Sequence, residues 1–355
     1  MSRGDSISPI FFLKLSMIEI DGSFGEGGGQ ILRTATALAA VLKIPCRVFN
    51  IRKGREKPGL QTQHLLGLRA LAELCNGKLE GDYLNSTEIK FYPGEIKKEK
   101  ITVKIPTAGS VTLILQTLIP VCIFAKNPIE IYFDGGATDT FFSPTIDHFR
   151  YVFLKILERM GAKVEIEILR RGYYPEGGAK LKAKIFPAKL KPINLTERSK
   201  IKKILTISGA SQSLKNKRVA ERQAAGVKEV LGKLNLPIEE KIEYYDTQSP
   251  GSQICLIAEF ENTILGVDNL GKLGKRAEDV GKEAALELLK EQKTNACLDK
   301  LLADQILPYM ALAPEKSQVT VSEITEHCKT NVWVIEKFIS GKFEIKENLI
   351  SWIPK

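Results

Sequence analysis

The chain has few of the residues that build several common kinds of site. It contains three histidines, two tryptophans and six cysteines in 355 residues, and no two cysteines form a CxxC pair. This spacing argues against a zinc ribbon and a small disulfide scaffold, and predicts reduced thiols. No apolar run approaches the roughly 18 residues that cross a bilayer, so we expect a cytoplasmic protein without membrane contact. Walker A and GxGxxG sequences are also missing, which excludes these two phosphate-binding loops.

The start of the chain carries a short apolar patch, PIFFLKLSMIEIDG, at residues 9–22. Lys14 interrupts this patch and no small-residue cleavage site follows. We therefore interpret it as the first strand rather than as a signal peptide. Met17 is an alternative start, which would make residues 1–16 an extension.

Charge is the one property present in excess. Lysine and arginine number 52 against 42 aspartates and glutamates, for a formal net charge of +10. A basic surface attracts polyanions, which favours nucleic acid or a phosphorylated substrate as partner. A solvated basic surface without a partner would have the same composition, so charge alone leaves both hypotheses open.

Strand-like and helix-like stretches alternate in a repeating order. A first β-α-β-α-β-β unit is predicted from residue 17 to 106, with its last two strands at 86–94 and 100–106. A second unit extends to 187 and a third, partial one begins near 280. Between them, residues 188–276 predict a small α/β domain inserted into the larger one. We therefore predict an α/β (α+β) fold with three such repeats around a pseudo-threefold axis. The large domain takes residues 1–187 and 277–355.

The densest chemical signal is DGSFGEGGGQILRTA, at residues 21–35. Its glycines would let the backbone approach a ligand, and the helix that follows offers free N–H groups to a phosphate. Glu26 would repel a phosphate, a conflict that a divalent metal between the two would remove. A purely structural turn would also explain the glycines.

A basic loop, NIRKGREKPGLQTQHL, covers residues 50–65. Arg52 and Arg55 lie in it, and Gln63 and His64 fall in the first turn of the next helix. Arginines in a loop just before a helix suit contacts to a triphosphate or to RNA phosphates. A solvated basic loop without a ligand would have the same sequence. A second Glu-Gly-Gly, in RRGYYPEGGAK at 170–180, reads equally as a tight turn or as a nucleotide or RNA contact.

The histidines divide into different settings. His148 lies on an amphipathic helix and is interpreted as structural. His327 lies in TEHCKTN, where Thr330 or Asn331 is expected to cap the following helix. Asp304 and Gln305 open the apolar helix LADQILPYMALA, where an aspartate serves as a dipole partner or orients a reacting group.

Eight stretches, taken in order, resemble the RNA 3′-terminal phosphate cyclase family. They cover about residues 17–340 and read DGSFGEGGGQILRTA, NIRKGREKPGLQTQHL, AGSVTLILQT, GGATDTFFSPTIDHF, RRGYYPEGG, LGKLGKRAE, LADQILPYMALA and HCKTN. The resemblance implies three β-α-β-α-β-β repeats and an inserted α/β domain, in agreement with the segmentation above. It also implies a repeated unit similar to that of enolpyruvylshikimate phosphate synthases.

The resemblance implies roles for individual residues. His327 aligns with the nucleophilic histidine of the family and Glu26 with its metal-binding glutamate, for Mg or Mn. Leu301 stands about where many members have a tyrosine. The family's positions for handling ATP and RNA phosphates correspond to Arg33, Arg52, Arg55, Gln63 and His64. Its nucleotide pocket corresponds to Gln116 and Pro144, and its ADQ motif to Asp304 and Gln305.

The implied reaction converts an RNA 3′-phosphate and ATP into a 2′,3′-cyclic phosphate, AMP and pyrophosphate, through a covalent histidine-AMP and an RNA-adenylate. The expected partners are ATP and RNA, with a possible homodimer. One alternative is a non-catalytic relative that acts in ribosome assembly or rRNA cleavage, but those relatives lack the histidine. An enolpyruvyl transferase fits the repeats but not the GEGGGQ loop. A bare RNA-binding module explains the charge but not Glu26 together with His327.

Overall fold

The first repeated unit forms a four-stranded sheet with two helices. The computed structural model describes residues 16–234 and 236–355, so part of the predicted first strand, residues 9–15, lies outside the described residues. The sheet has the order β1-β2-β4-β3, with β1 and β2 parallel and the other pairs antiparallel. Its elements are β1 (Ile18–Asp21), α1 (Gly29–Leu42), β2 (Cys46–Phe49), α2 (Thr62–Leu74), β3 (Lys78–Glu80) and β4 (Ile89–Tyr92).

The second unit repeats this arrangement. Its strands pair in the order β5-β6-β8-β7, again with only the first two parallel. The second helix is interrupted by a π-helical turn, Phe149–Phe153. The elements are β5 (Lys100–Ser110), α3 (Val111–Cys122), β6 (Ile129–Ala137), α4 (Ile146–His148), α5 (Leu154–Arg159), β7 (Val164–Arg170) and β8 (Lys180–Ile185).

One predicted strand belongs to a different unit than expected. The stretch 100–106 was predicted to complete the first unit, but β5 opens the second sheet by pairing with β6. The first sheet is completed instead by β3, which the sequence did not reveal. β3 is only three residues long, Lys-Leu-Glu, which is too short for alternating hydrophobicity to indicate a strand.

After β9 (Asn194–Leu195) the chain builds a separate sheet with its own helices. The strand order is β11-β10-β12-β13, and the two helices pack on each other and on this sheet. Apolar residues of both helices share one core with the strands, among them Val227, Ala284 and Leu288. The elements are β10 (Ile201–Ser211), α6 (Val219–Leu231), β11 (Ile238–Tyr245), β12 (Ser252–Phe260), β13 (Ile264–Leu270) and α7 (Ala277–Lys293).

The third unit closes the chain and pairs with β9. Its sheet order is β9-β14-β16-β15, with β9 and β14 parallel, which matches the other two units. The remaining elements are α8 (Lys300–Leu312), β14 (Ser317–Thr320), α9 (Glu326–Phe338), β15 (Gly341–Lys346) and β16 (Leu349–Pro354). The three matching sheets confirm the predicted mixed α/β class and its repeats.

The limits 188–276 for the inserted domain stay a prediction. Helix α7 had been assigned to the third repeat, within 277–355, yet it packs on α6, β12 and β13. We therefore propose that the insertion begins after β9 and ends before α8. No helix among the described residues combines the length and apolar character needed to cross a membrane.

Candidate active site

Helices from all three units meet and bring together residues that are far apart in the chain. Helix α1 packs against α3 and α9, and α8 packs against both α9 and α3. The apolar face of α1, including Ile31, Leu32, Ala35 and Leu38, is buried there. The polar residues of these helices line the cleft that remains between them.

His327 lies in the first turn of α9, where two side chains contact its imidazole. Its Nε2 is 3.0 Å from Glu26 Oε2, and its Nδ1 is 2.8 Å from Gln30 Oε1. The cap of the helix is Thr325, whose hydroxyl accepts a hydrogen bond from the Cys328 N–H. The expectation that Thr330 or Asn331 caps a later helix is therefore wrong, because the helix begins before His327.

Gln30 links His327 to a carboxylate on a third helix. Its Nε2 donates to Asp304 Oδ2 at 2.6 Å, so its Oε1 faces the imidazole as an acceptor. His327 Nδ1 then carries the proton, and Nε2 keeps its lone pair in the neutral ring. No role was predicted for Gln30 from the sequence. A usable signal was its position, since Gln30 and Thr34 lie one turn apart on α1 and both are polar and buried.

A second set of hydrogen bonds fixes α9 against α1 and α8. Thr34 Oγ1 donates to Asn331 Oδ1 at 2.6 Å, and Asn331 Nδ2 donates to the Asp304 carbonyl at 2.7 Å. Asn331 is buried. These bonds hold the helix that carries His327 at a fixed distance from Gln30 and Asp304.

Burial and neighbouring charges shift the pKa values of this cluster. Partial burial lowers the pKa of His327, helped by Arg33 and Arg55 and opposed by Glu26. Burial raises the pKa of Asp304 to about 7, with Arg33 opposing the shift. Burial also lowers the pKa of Arg33 to about 10. The imidazole is therefore neutral at pH 7, as a nucleophile or base must be.

The glycine loop between β1 and α1 can lie close to His327, Arg55 and His64 because Gly28 and Gly29 have no side chains. A Cβ on Gly29 would lie 2.1 Å from His64 Nε2, and one on Gly28 would lie 3.4 Å from Arg55 Nη2. At the start of the loop, Phe24 stacks on Trp333 of α9 with ring centroids 4.1 Å apart. This stacking anchors the loop that carries Glu26 to the helix that carries His327.

The basic loop places its two arginines differently. Arg55 is exposed on the cleft side, with Nη2 3.5 Å from Glu26 Oε2. Arg52 instead donates to the Lys57 carbonyl at 2.7 Å and the Gly59 carbonyl at 3.2 Å. In this arrangement Arg52 braces its own loop, while Arg55 reaches Glu26.

Gln63 and His64 lie in the first turn of α2 and hydrogen-bond within the protein. His64 is buried, and its Nδ1 accepts a hydrogen bond from the Gln61 N–H. Burial lowers the pKa of His64 to about 3, and Arg33 and Arg52 add to the shift. Gln63 Oε1 accepts from the Ser110 N–H at the start of α3. His64 is therefore neutral in the folded protein.

Gln116 lies on α3, and Pro144 precedes α4. Asp304 and Gln305 do not open their helix as predicted, because α8 begins at Lys300 with Asp299 as its cap. Gln116 Nε2 donates to Gln305 Oε1 at 3.0 Å, whereas the Pro144 carbonyl accepts from Thr112 Oγ1 at 2.9 Å. A cavity opens beside the Gln116–Gln305 pair, and Pro144 does not line it. Its walls are Gln30, Arg33, Thr34, Ala37, Leu38, Gln116, Pro120, Phe153, Asp304, Gln305, Pro308, Tyr309 and Asn331.

A divalent cation would find one carboxylate beside His327. Among the described residues there is no group of three or more His, Cys, Asp or Glu side chains arranged to hold a metal. Mg²⁺ characteristically uses one or two carboxylates together with substrate phosphates, so Glu26 fits that mode of binding. The fit is supported by the 3.0 Å contact between Glu26 Oε2 and the Nε2 lone pair. Two electron-rich atoms at that distance repel unless a proton or a cation lies between them.

Comparison with known proteins identifies relatives over nearly the whole chain. A model of the RNA 3′-terminal phosphate cyclase family matches residues 24–345. The chain is 47% identical over 331 residues to an RNA 3′-terminal phosphate cyclase of Pyrococcus furiosus, covering 93% of this chain and 95% of that one. It is 45% identical over 334 residues to that of Thermococcus kodakarensis, covering 94% and 95%.

The likeness to one solved structure is distant. The enolpyruvyl transferase NikO from Streptomyces tendae aligns with 96% of this chain and 82% of its own, at 9% identity and a TM-score of 0.30. A likeness at this level supports no argument about fold or function.

Proposed function

This chain belongs to the RNA 3′-terminal phosphate cyclase family, and we propose that it converts an RNA 3′-phosphate to a 2′,3′-cyclic phosphodiester at the expense of ATP. Two relatives, 47% and 44% identical to this chain over 93% of its length, have that name. The observation that supports the chemistry best is His327, a neutral imidazole held at Nδ1 by Gln30 and open to the cleft. The predicted homodimer and cytoplasmic location stay predictions.

In the first step, the lone pair of His327 Nε2 attacks the α-phosphorus of ATP. An N–P bond forms, the bond from phosphorus to the bridging oxygen breaks, and pyrophosphate leaves with the electron pair. Gln30 Oε1 accepts the Nδ1–H and stabilises the positive charge that develops on the ring. Asp304 in turn holds the Gln30 amide, so that the imidazole keeps one tautomer and orientation.

Positive groups around the cleft suit a triphosphate. Arg55 is exposed beside Glu26, and Arg33 lines the adjoining cavity. Both would offset the charge that builds up on the phosphates, where fixed cations are most effective. Glu26 is the residue that would hold Mg or Mn, which when bound supplies further charge neutralisation at the phosphates.

Two further displacements complete the reaction. An oxygen of the RNA 3′-phosphate attacks the adenylate phosphorus, the N–P bond breaks, and His327 recovers its lone pair. The adjacent 2′-OH then attacks the 3′-phosphorus, loses its proton to water or a base, and expels AMP. The last step requires a 2′-OH, which DNA does not have at the reacting end.

The test is covalent labelling. Wild-type protein incubated with α-labelled ATP and Mg or Mn should retain an acid-labile, alkali-stable AMP label. His327→Ala should lose it, and a folded His148→Ala should keep it, because His148 is buried away from the cleft. If the wild-type protein never acquires label, the histidine-AMP route is wrong and a non-catalytic relative is the better description.

A further inference from the structure

Three loops from two parts of the chain meet in an exposed aromatic surface outside the His327 cleft. This surface, called here the aromatic tip, consists of Phe141, Phe142, Tyr174, Lys272 and Leu273. Phe142 and Leu273 are fully exposed, and Tyr174 is 61% exposed. Exposed apolar side chains that are grouped in one patch, unlike single ones, are typical of an interaction site.

The loops of the aromatic tip are held together rather than loosely adjacent. The rings of Phe141 and Tyr174 meet edge to face with centroids 6.4 Å apart. The Lys272 ammonium lies 5.5 Å from the centroid of the Phe141 ring. A backbone bridge between Asp139 and Tyr173 joins two of the loops directly.

Phe142 is also held in an unfavourable backbone conformation. Its φ is 62°, in the left-handed region that a bulky side chain seldom adopts. This strained backbone is not offset by burial of the ring, because Phe142 is fully exposed to solvent. A conformation of this kind is retained where the exposed side chain has a task.

A short series of contacts connects the aromatic tip to the cleft. Pro144, two residues after Phe142, accepts a hydrogen bond from Thr112 on α3. One turn later on the same helix, Gln116 bonds to Gln305. The loop that carries Phe141 and Phe142 is therefore joined to α3 one turn before the residue that lines the cavity.

We propose that the aromatic tip stacks unpaired bases of the RNA just upstream of its 3′-phosphate, an inference that rests on the proposed function. Every base presents a π-face, so rings with a neighbouring cation bind single strands without sequence preference. Lys272 supplies that cation, and Arg276, whose side chain is 71% exposed, follows on the same loop. A stable protein partner would need roughly 20 to 30 residues on each side, far more than these five.

Direct binding of RNA tests the proposal without any catalytic step. The probe is a short unstructured RNA with a 5′ fluorophore and a 3′-phosphate, titrated at constant salt. Phe142→Ala combined with Tyr174→Ala should weaken binding roughly 10-fold or more, because each base-aromatic stack contributes on that scale. Lys272→Ala should lower the slope of log affinity against log salt by about 1.

Tyr83 provides the matched control, since it is an exposed tyrosine at 65% in a loop of the first unit. Tyr83→Ala should bind RNA like the wild-type protein. Unchanged affinity in the double variant, or an equal loss in Tyr83→Ala, would overturn the proposal; the first result would point to a protein partner instead.

Adenylylation separates this inference from the proposed function. With ATP and Mg or Mn but no RNA, the double variant should acquire as much His327-AMP as the wild-type protein, because the aromatic tip does not contact His327. Absence of label in the wild-type protein would count against the proposed function, while the RNA affinities would still decide the role of the aromatic tip.

Discussion

Two charged clusters in this protein are built on opposite plans. In the second unit, Arg171 is 3% exposed, and its Nη2 donates to both carboxylate oxygens of Asp147, at 2.7 and 2.8 Å. It also donates to Asp139 at 3.1 Å, and its guanidinium lies 4.5 Å from the Tyr245 ring centroid. Around His327, by contrast, the imidazole, Glu26 and Arg55 side chains remain 46%, 32% and 43% exposed.

The comparison separates a structural role from a chemical one. The Arg171 cluster is closed, and through Tyr245 it ties the inserted sheet to the second unit. The His327 cluster is open on one side, and one of its contacts sets a carboxylate against a nitrogen lone pair. A closed pair resists change, whereas an open and incompletely compensated one can exchange its partner for a substrate.

Breaking the closed cluster should have the largest effect on stability. Arg171→Ala would leave two buried carboxylates without their cation, which typically costs about 3–5 kcal/mol. Chemical unfolding at neutral pH measures the loss. The control is Lys155→Ala, which removes an exposed pair with Glu158 and should change stability by no more than about 0.5 kcal/mol. Similar losses in the two variants would remove the distinction between the clusters.

Breaking the support of the open cluster should lower the rate of adenylylation strongly, with a smaller loss of stability than in Arg171→Ala because buried Gln30 also donates to Asp304. Gln30→Ala should slow His327 adenylylation about 10- to 100-fold, the scale seen when a group that orients an active-site ligand is lost. Gln318→Ala is the control, because it removes an amide to hydroxyl bond in β14, away from the cleft.

Gln30→Glu distinguishes positioning from packing. It keeps an acceptor for the Nδ1–H and adds a negative charge, which should raise the pKa of His327 and move the acid limb of the rate profile to higher pH. An unmoved pH profile would mean that Gln30 only fills space.

The smallest expected effect is a titration. The pKa of His327 should lie below its ordinary value of about 6.5, so acid is needed to protonate it. Because Glu26 favours the imidazolium, Glu26→Gln should lower that pKa further. NMR of the three histidine rings can follow this, with His327→Ala for assignment and with His64 neutral throughout. A His327 pKa above 6.5 in the wild-type protein would contradict the open cluster described here.

Much of the fold could be predicted because hydrophobic periodicity is a local property. The helices at Gly29–Leu42 and Thr62–Leu74 and the repeat order follow from spacing alone. Prediction failed where the local signal was short or ambiguous. The three residues of β3 show no alternation, and Thr325 and Thr330 are equally good caps by residue type. The choice of Thr325 depends on burying Cys328 and Asn331 against neighbouring helices.

In the active site, too, the residue types could be predicted from the sequence but the contacts between them could not. The composition of the GEGGGQ loop and of the basic loop suited phosphate binding before any geometry was considered, whereas the role of His327 followed from the resemblance to the family. Neither revealed that Gln30 holds His327, a contact between residues 297 positions apart. Arg52 and Arg55 look equivalent in the loop, yet Arg52 donates to carbonyls of the same loop, those of Lys57 and Gly59, and Arg55 reaches Glu26.

The sequence by itself determined the repeated units and the residue types of the cleft, because these depend on short-range pattern and composition. Only the tertiary structure decided which side of α3 faces the cavity and which loops form the aromatic tip. It also decided that His148 is buried and that His327 is open to the cleft. Those outcomes depend on packing between helices of different units. Burial, pKa and partner choice are properties of that packing and not of any single segment.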